Sequence, residues 1–228
     1  MGISSWEQAE GVHAIPVTST AYYGLQLPEA GVGPETQVLM VLHGWGQNTR
    51  SFLRKFAPLK KHNVLVVAPQ APHQFYLDME TRKIGFGWLT AYDRVRGIAD
   101  VVSGLDAILA TVEQEQSMAP TRPFVLGFSQ GVSVAYRYAI HGQRDVAGVI
   151  ACGGDLPPDV EERLPLRVPF PVLLIHGKGD TVVPWSRSEA ADRALRALSY
   201  PLETEYFEGG HDLPASLIAR FPAWMLTV

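Results

Sequence analysis

The sequence predicts a single α/β domain, with a mostly parallel central sheet and helices on both of its faces. Three observations predict it. Continuous apolar runs recur without alternation, such as VLMVL at Val38 to Leu42 and VLVVA at Val64 to Ala68, as parallel strands covered on both faces require. Segments with helical spacing of apolar residues separate these runs. The chain of 228 residues, 46% apolar, is long enough to bury one sizeable core.

Taken in order, residues 18 to 27 (TSTAYYGLQL) read as an early strand or hairpin arm before the loop PEAGVGPET, rich in Gly and Pro. The runs at Val38 and Val64 follow, with a helix expected between them over roughly Arg50 to Lys60. From Arg96 to about Glu115, residues Ile98, Val101, Val102, Leu105, Ile108, Leu109 and Val112 recur at helical spacing and give one face to lay on a sheet. PFVLGF, Pro123 to Phe128, is a buried-strand run, and Gln130 to Ile140 follows as a helix ending near Gly142. Strands are expected at Val146 to Ile150 and Val172 to Ile175. Between them runs a connector, Asp155 to Pro171, whose five prolines leave no room for a helical cap, so the cleft is expected to be open. A helix carrying Ala190, Ala191, Ala194, Leu195 and Leu198 precedes a last strand near Glu203 to Phe207. In the final segment Leu217, Ile218, Phe221, Trp224 and Met225 lie at helical intervals, with Pro222 expected to kink or end that helix.

Composition narrows the function classes. The formal net charge of −4 comes from interspersed charges, and no Lys/Arg block would track a phosphate backbone, so nucleic acid is not an expected partner. The opening MGISSWEQAEGVHAIP has neither a secretory pattern nor a spanning run, and Trp6 stands where a myristoylation signal needs Ser or Thr. The one cysteine, Cys152, cannot form an internal disulfide, which fits a reducing compartment. A cytoplasmic protein without stable membrane insertion is expected. Seven histidines show no H-E-x-x-H or similar ligand spacing, so no metal site is expected.

The chemistry centres on GFSQG, residues 127 to 131. A G-x-S-x-G between a strand and a helix holds its serine at the tip of a strained turn, here Ser129. A serine hydroxyl needs a base to take its proton and a carboxylate to orient that base. Downstream, Asp180 in HGKGDTVVP and His211 in EGGHDLP lie in loops just past strand ends, where catalytic groups of open α/β sheets collect. Asp155 competes for the acid role. Asp212 is assigned to capping the C-terminal helix. For the oxyanion, the backbone N–H of Gln130 is one donor and that of Trp45, in the turn LHGWGQN, the other. His43 is assigned to packing and hydrogen bonding in that turn, and Trp45 either walls the cleft or packs in the core. Cys152 lies outside the elbow and reads as a buried strand-end residue.

LHGWGQN, GFSQG, HGKGDTVVP and EGGHDLP, in this order, resemble the carboxylesterase/phospholipase/acyl-protein thioesterase family of α/β-hydrolases, over about Val38 to the C-terminus. The resemblance implies a minimal α/β-hydrolase without a large cap domain, needing no cofactor, that hydrolyses carboxylic esters or thioesters. It implies Ser129 as nucleophile, Asp180 as acid, His211 as base, and the Trp45 and Gln130 backbone as oxyanion hole. Two positions depart from the family's pattern: Val132 follows GFSQG in place of Gly or Ala, and Gln47 stands where an acidic residue is frequent.

Residues 75 to 92, FYLDMETRKIGFGWLTAY, are too aromatic for a plain connector. Phe75, Tyr76, Phe86, Trp88 and Tyr92 are candidates to line an acyl pocket, against the plainer reading of a hairpin over the sheet edge. The expected activity is a serine esterase, with thioesterase or lysophospholipase as the nearest rival and a peptidase or a non-catalytic binding module further off.

Overall fold

A computed structural model describes residues 13–228; the expectations for the opening residues 1–12 lie outside them. The first strand, β1 (Tyr23–Gln26), is shorter than the expected early segment. It is followed by β2 (Gln37–Leu42), helix α1 (Thr49–Arg54) and β3 (Val64–Pro69). A hairpin of β4 (His73–Asp78) and β5 (Lys83–Gly87) precedes the long helix α2 (Arg94–Glu115). The second half runs β6 (Phe124–Phe128), α3 (Gln130–His141), β7 (Gly148–Cys152), α4 (Pro158–Glu161) and β8 (Val172–Gly177). It closes with α5 (Ser186–Ala197), β9 (Leu202–Phe207), α6 (Ala215–Ile218) and α7 (Phe221–Met225).

Seven strands form one sheet in the order β1-β3-β2-β6-β7-β8-β9, and β4 with β5 forms a separate ribbon. Among the described residues, β1 is the one strand of the seven-stranded sheet that runs antiparallel to its neighbour. Alternate residues of each inner strand face opposite sides. Met40, Leu42, Val125, Val149 and Leu174 pack with Val101, Leu105, Ala135 and Leu195 from α2, α3 and α5. Leu39, Val41, Leu126, Ile150 and Ile175 pack with Phe52, Leu217, Phe221 and Trp224 from α1, α6 and α7. Both faces are therefore covered, which explains why the strands read as unbroken apolar runs.

Two helices differ from expectation, each because of a proline. The expected helix over Arg50 to Lys60 is α1 followed by a separate 3₁₀ turn, Ala57–Lys61, since Pro58 has no N–H to give the carbonyl of Arg54 and cannot continue α1. The C-terminal segment is two short helices that part at Ala219 and Arg220. Pro222 sits in the first turn of α7, where its missing N–H leaves nothing unsatisfied. Between β7 and β8, the connector forms only the four-residue α4 and a three-residue 3₁₀ turn, Leu164–Leu166. Asp159 in α4 grips the buried Arg137 of α3 through two hydrogen bonds of 2.8 and 2.6 Å, which holds this connector flat against α3. Among the described residues, no large cap covers the sheet.

Candidate active site

Strand β6 ends at Phe128 and delivers Ser129 with φ 55° and ψ −119°, a conformation that non-glycine residues rarely adopt. The turn is fixed on both sides: Ser129 N–H donates to Cys152 O at 2.9 Å, and Val132 N–H donates to Ser129 O at 3.0 Å. Gly131 is required by the close approach of β2, since a Cβ there would stand 2.2 Å from Leu42 O. Val132, the departure noted above, is accommodated opposite Gly154, where a Cβ would lie 2.5 Å from the Val132 Cβ.

The acid and base loops are joined backbone to backbone. Lys178 N–H donates to Phe207 O at 3.0 Å and Gly179 N–H to Gly209 O at 2.8 Å. A Cβ at Gly177 would stand 2.4 Å from Gly210 O, so only glycine lets the two loops approach this closely. Asp180 and His211, 31 positions apart in sequence, thereby meet at 2.6 Å, Oδ2 to Nδ1. Asp180 Oδ1 accepts the N–H groups of Val182 and Val183 at 2.8 and 2.9 Å. Burial pushes the Asp180 carboxyl up, but the His211 bond and these two N–H groups outweigh it and hold the group below the usual carboxylate range. With Nδ1 donating to a carboxylate, His211 keeps Nε2 as its acceptor nitrogen. Its ring packs on Phe128, the residue before Ser129, with centroids 4.9 Å apart.

The competing acid, Asp155, is exposed at the cleft beside Ser129 and makes no pair with His211 among the described residues. Asp212 does not cap the C-terminal helix as expected. It pairs with Lys55 at 2.9 Å, and Pro214 occupies the cap position of α6. Cys152 is fully buried, and burial pushes its thiol up, away from the reactive thiolate.

In the turn after β2, His43 is buried and held at both nitrogens. Nδ1–H donates to Gly44 O at 2.8 Å, while Nε2 faces Ala71 N–H at 3.2 Å and the Gln70 amide nitrogen at 2.9 Å. These partners fit only the neutral ring, and burial lowers its pKa. Around Trp45 the backbone is already engaged: Gly44 N–H donates to Gln47 Oε1 at 2.9 Å and Gly46 N–H to Phe86 O at 2.8 Å. Gln47 thus fixes the loop through an uncharged acceptor. The turn runs close to the elbow, for a Cβ at Gly44 would lie 3.1 Å from the Ser129 Cβ.

A stability prediction follows from His43. Above about pH 6.5 the ring is neutral in folded and unfolded chains alike. Below it the unfolded chain binds a proton that the folded chain resists, so stability is lost as pH falls from there toward the lowered folded value. The thermal midpoint should drop between pH 7 and 5, with a shallower slope in His43→Gln. Part of the slope will remain, since burial also lowers the pKa of His141. Equal slopes in the two proteins would remove His43 from the account.

The segment from Phe75 to Tyr92 contains most of the β4–β5 ribbon, a hairpin that accepts Gly46 N–H at Phe86 O and so lies at the turn after the inner strand β2. Phe75 stacks on Trp45 with centroids 4.8 Å apart, and Trp45 is 60% exposed, on the surface and not in the core. Tyr76 and Tyr92 are 53% and 59% exposed. Trp88 requires correction as a pocket residue: it is 1% exposed, and its Nε1–H donates to His43 O at 2.8 Å. The partly buried Phe86 packs against the same core. The cleft at the elbow, about 280 Å³, is lined instead by Leu89, Arg94, Ser133, Gly154, Asp155 and Val183, together with Ser129 and Gln130.

Several residues here escaped the sequence reading. Ser133 lies one helical turn beyond Ser129, a spacing that could have marked it. The side chain of Gln130 binds the segment after the ribbon, accepting Trp88 N–H at 2.8 Å and donating to Leu89 O at 2.9 Å. His176 lies beneath Asp180, its Nε2 3.2 Å from Oδ2. A larger groove, about 1010 Å³, runs along the sheet edge between β1 and α1, and none of the candidate site residues lines it.

Among the described residues, no group of three or more His, Cys, Asp or Glu side chains is placed to hold a metal ion, and no helix is long and apolar enough to cross a membrane. The family model for phospholipases and carboxylesterases matches residues 29–220. A protein named as a putative esterase, NocK of Nocardia uniformis subsp. tsuyamanensis, is 28% identical over 162 residues, covering 69% of this chain. The chain spans 44% of that relative's length. The crystal structure of esterase PE8 superposes with a TM-score of 0.75 at 25% identity, covering 92% of this chain and all of that one. Acyl-protein thioesterase 2 of Zea mays matches at a TM-score of 0.61 and 20% identity over 90% of this chain and 98% of its own, a likeness of fold.

Proposed function

This chain belongs to the phospholipase/carboxylesterase family of α/β-hydrolases, and from that premise we propose that it is a serine carboxylesterase working through an acyl-enzyme, as a single domain. The observations that carry this reading are the 2.6 Å bond between Asp180 and His211 and a serine held in an elbow at φ 55°. Asp180 fixes the proton of His211 on Nδ1. His211 Nε2 accepts the Ser129 proton as Oγ attacks the ester carbonyl. The N–H groups of Trp45 and Gln130 stabilise the oxyanion that develops. On collapse, His211 returns the proton to the leaving alcohol, and a water that His211 deprotonates then releases the acid.

The cleft favours small substrates. Its volume of about 280 Å³ lies just below the range of roughly 300–1,000 Å³ typical of ligand pockets, and Arg94, Ser133 and Asp155 make its wall polar. On aryl esters of increasing acyl length, kcat/KM should be greatest from acetyl to butyryl and fall about tenfold or more by octanoyl, since a methylene without a slot to fill gains nothing. The same chemistry also cleaves thioesters, so acyl-CoA and lysolipid substrates belong in the panel. A preference for either would replace the small-ester reading with thioesterase or lysophospholipase.

A further inference from the structure

We propose that His176 is a positioning residue for the acid and base of the site, an inference that rests on the esterase reading for the reaction it serves. His176 stands at the end of β8, with its side chain wholly buried. Its Nε2–H donates to Val183 O at 2.9 Å, and the same nitrogen lies 3.2 Å from Asp180 Oδ2. Val183 in turn gives its N–H to Asp180 Oδ1 at 2.9 Å. The imidazole therefore closes a staple: ring to Val183 carbonyl, Val183 amide to carboxylate, and carboxylate to His211.

The other ring nitrogen, Nδ1, is buried without a partner among the described residues. A buried acceptor left unpaired costs stability, and an apolar side chain would avoid that cost. What an apolar side chain cannot do is donate to Val183 while lying against the carboxylate. Val183 also lines the cleft, so the staple sets the acid and one substrate wall together. Without it the turn from Asp180 to Val183 is free to rotate, and small errors in the placement of reacting groups are costly in rate.

The test compares His176→Leu, which removes the donor, with His176→Gln, whose amide nitrogen reaches the position of Nε2. His176→Asn, too short to reach it, provides a second loss variant if the leucine chain does not fold. On an aryl acetate, Leu and Asn should lower kcat by about tenfold to a hundredfold with KM within about twofold, and Gln should restore most of the rate. Independently of turnover, the downfield proton resonance of His211 Nδ1–H should move or broaden in Leu and Asn and return in Gln. An unchanged resonance, or a Gln variant no better than Asn, overturns the inference. A wild-type protein that hydrolyses no ester, yet whose resonance responds in this way, overturns the esterase reading and leaves the positioning role standing.

Discussion

Ser129→Ala is expected to lower kcat on activated esters by about a millionfold, the scale on which serine hydrolases depend on their nucleophile. It should also abolish covalent labelling by a fluorophosphonate and the initial burst of leaving group. The fold should survive, because the substitution removes one part-exposed hydroxyl and leaves the turn's backbone bonds to Cys152 and from Val132 in place. Intact-mass measurement of the labelled protein, with thermal melting of both forms, separates lost chemistry from lost structure. Turnover in the variant within a hundredfold of wild type would exclude Ser129 as the nucleophile.

Asp180→Asn is expected to cost about ten-thousandfold in kcat near pH 7 with little change in KM. Oδ1 accepts two backbone N–H groups, so an asparagine must place its carbonyl oxygen there. Its NH₂ then faces His211 Nδ1 and donates, which makes Nδ1 the acceptor and moves the ring proton to Nε2. The base would then present a proton to Ser129 where it needs a lone pair. In the wild-type protein the carboxyl is held below its usual range, so it stays ionised wherever a histidine titrates. An asparagine variant keeping a tenth of the wild-type rate would show that His211 does not need this orienter.

What was legible in the sequence was what is local. A strand, a tight turn and a helix mark Ser129 within a dozen residues, and Asp180 and His211 stand in short loops just past strand ends. Gln130, His176 and Trp88 were not legible in the same way, because their meaning is a partner far away in the chain. Gln130 bonds to Trp88 and Leu89, 42 and 41 positions off. His176 reads in sequence as the end of a strand, and its significance appears only once the turn folds back over it. Trp88, in an aromatic stretch, suggests a pocket until its indole N–H is found on the His43 carbonyl. The helix boundaries differ for another reason: apolar spacing passes over Pro58, and the break expected at Pro222 falls just before it, because a proline is suited to the first turn of a new helix.

The side chain of Gln130 has a consequence for how such an enzyme diversifies. Its backbone is assigned to the oxyanion and its amide is committed to the segment that follows the ribbon, so one residue is shared between rate and recognition. Exchanging the ribbon for another of different length would pull on that residue and disturb both at once. Ser133 and Asp155 border the same cleft without this double duty. An evolving lineage, or a designer, can alter selectivity at those two positions while the catalytic apparatus is left as inherited.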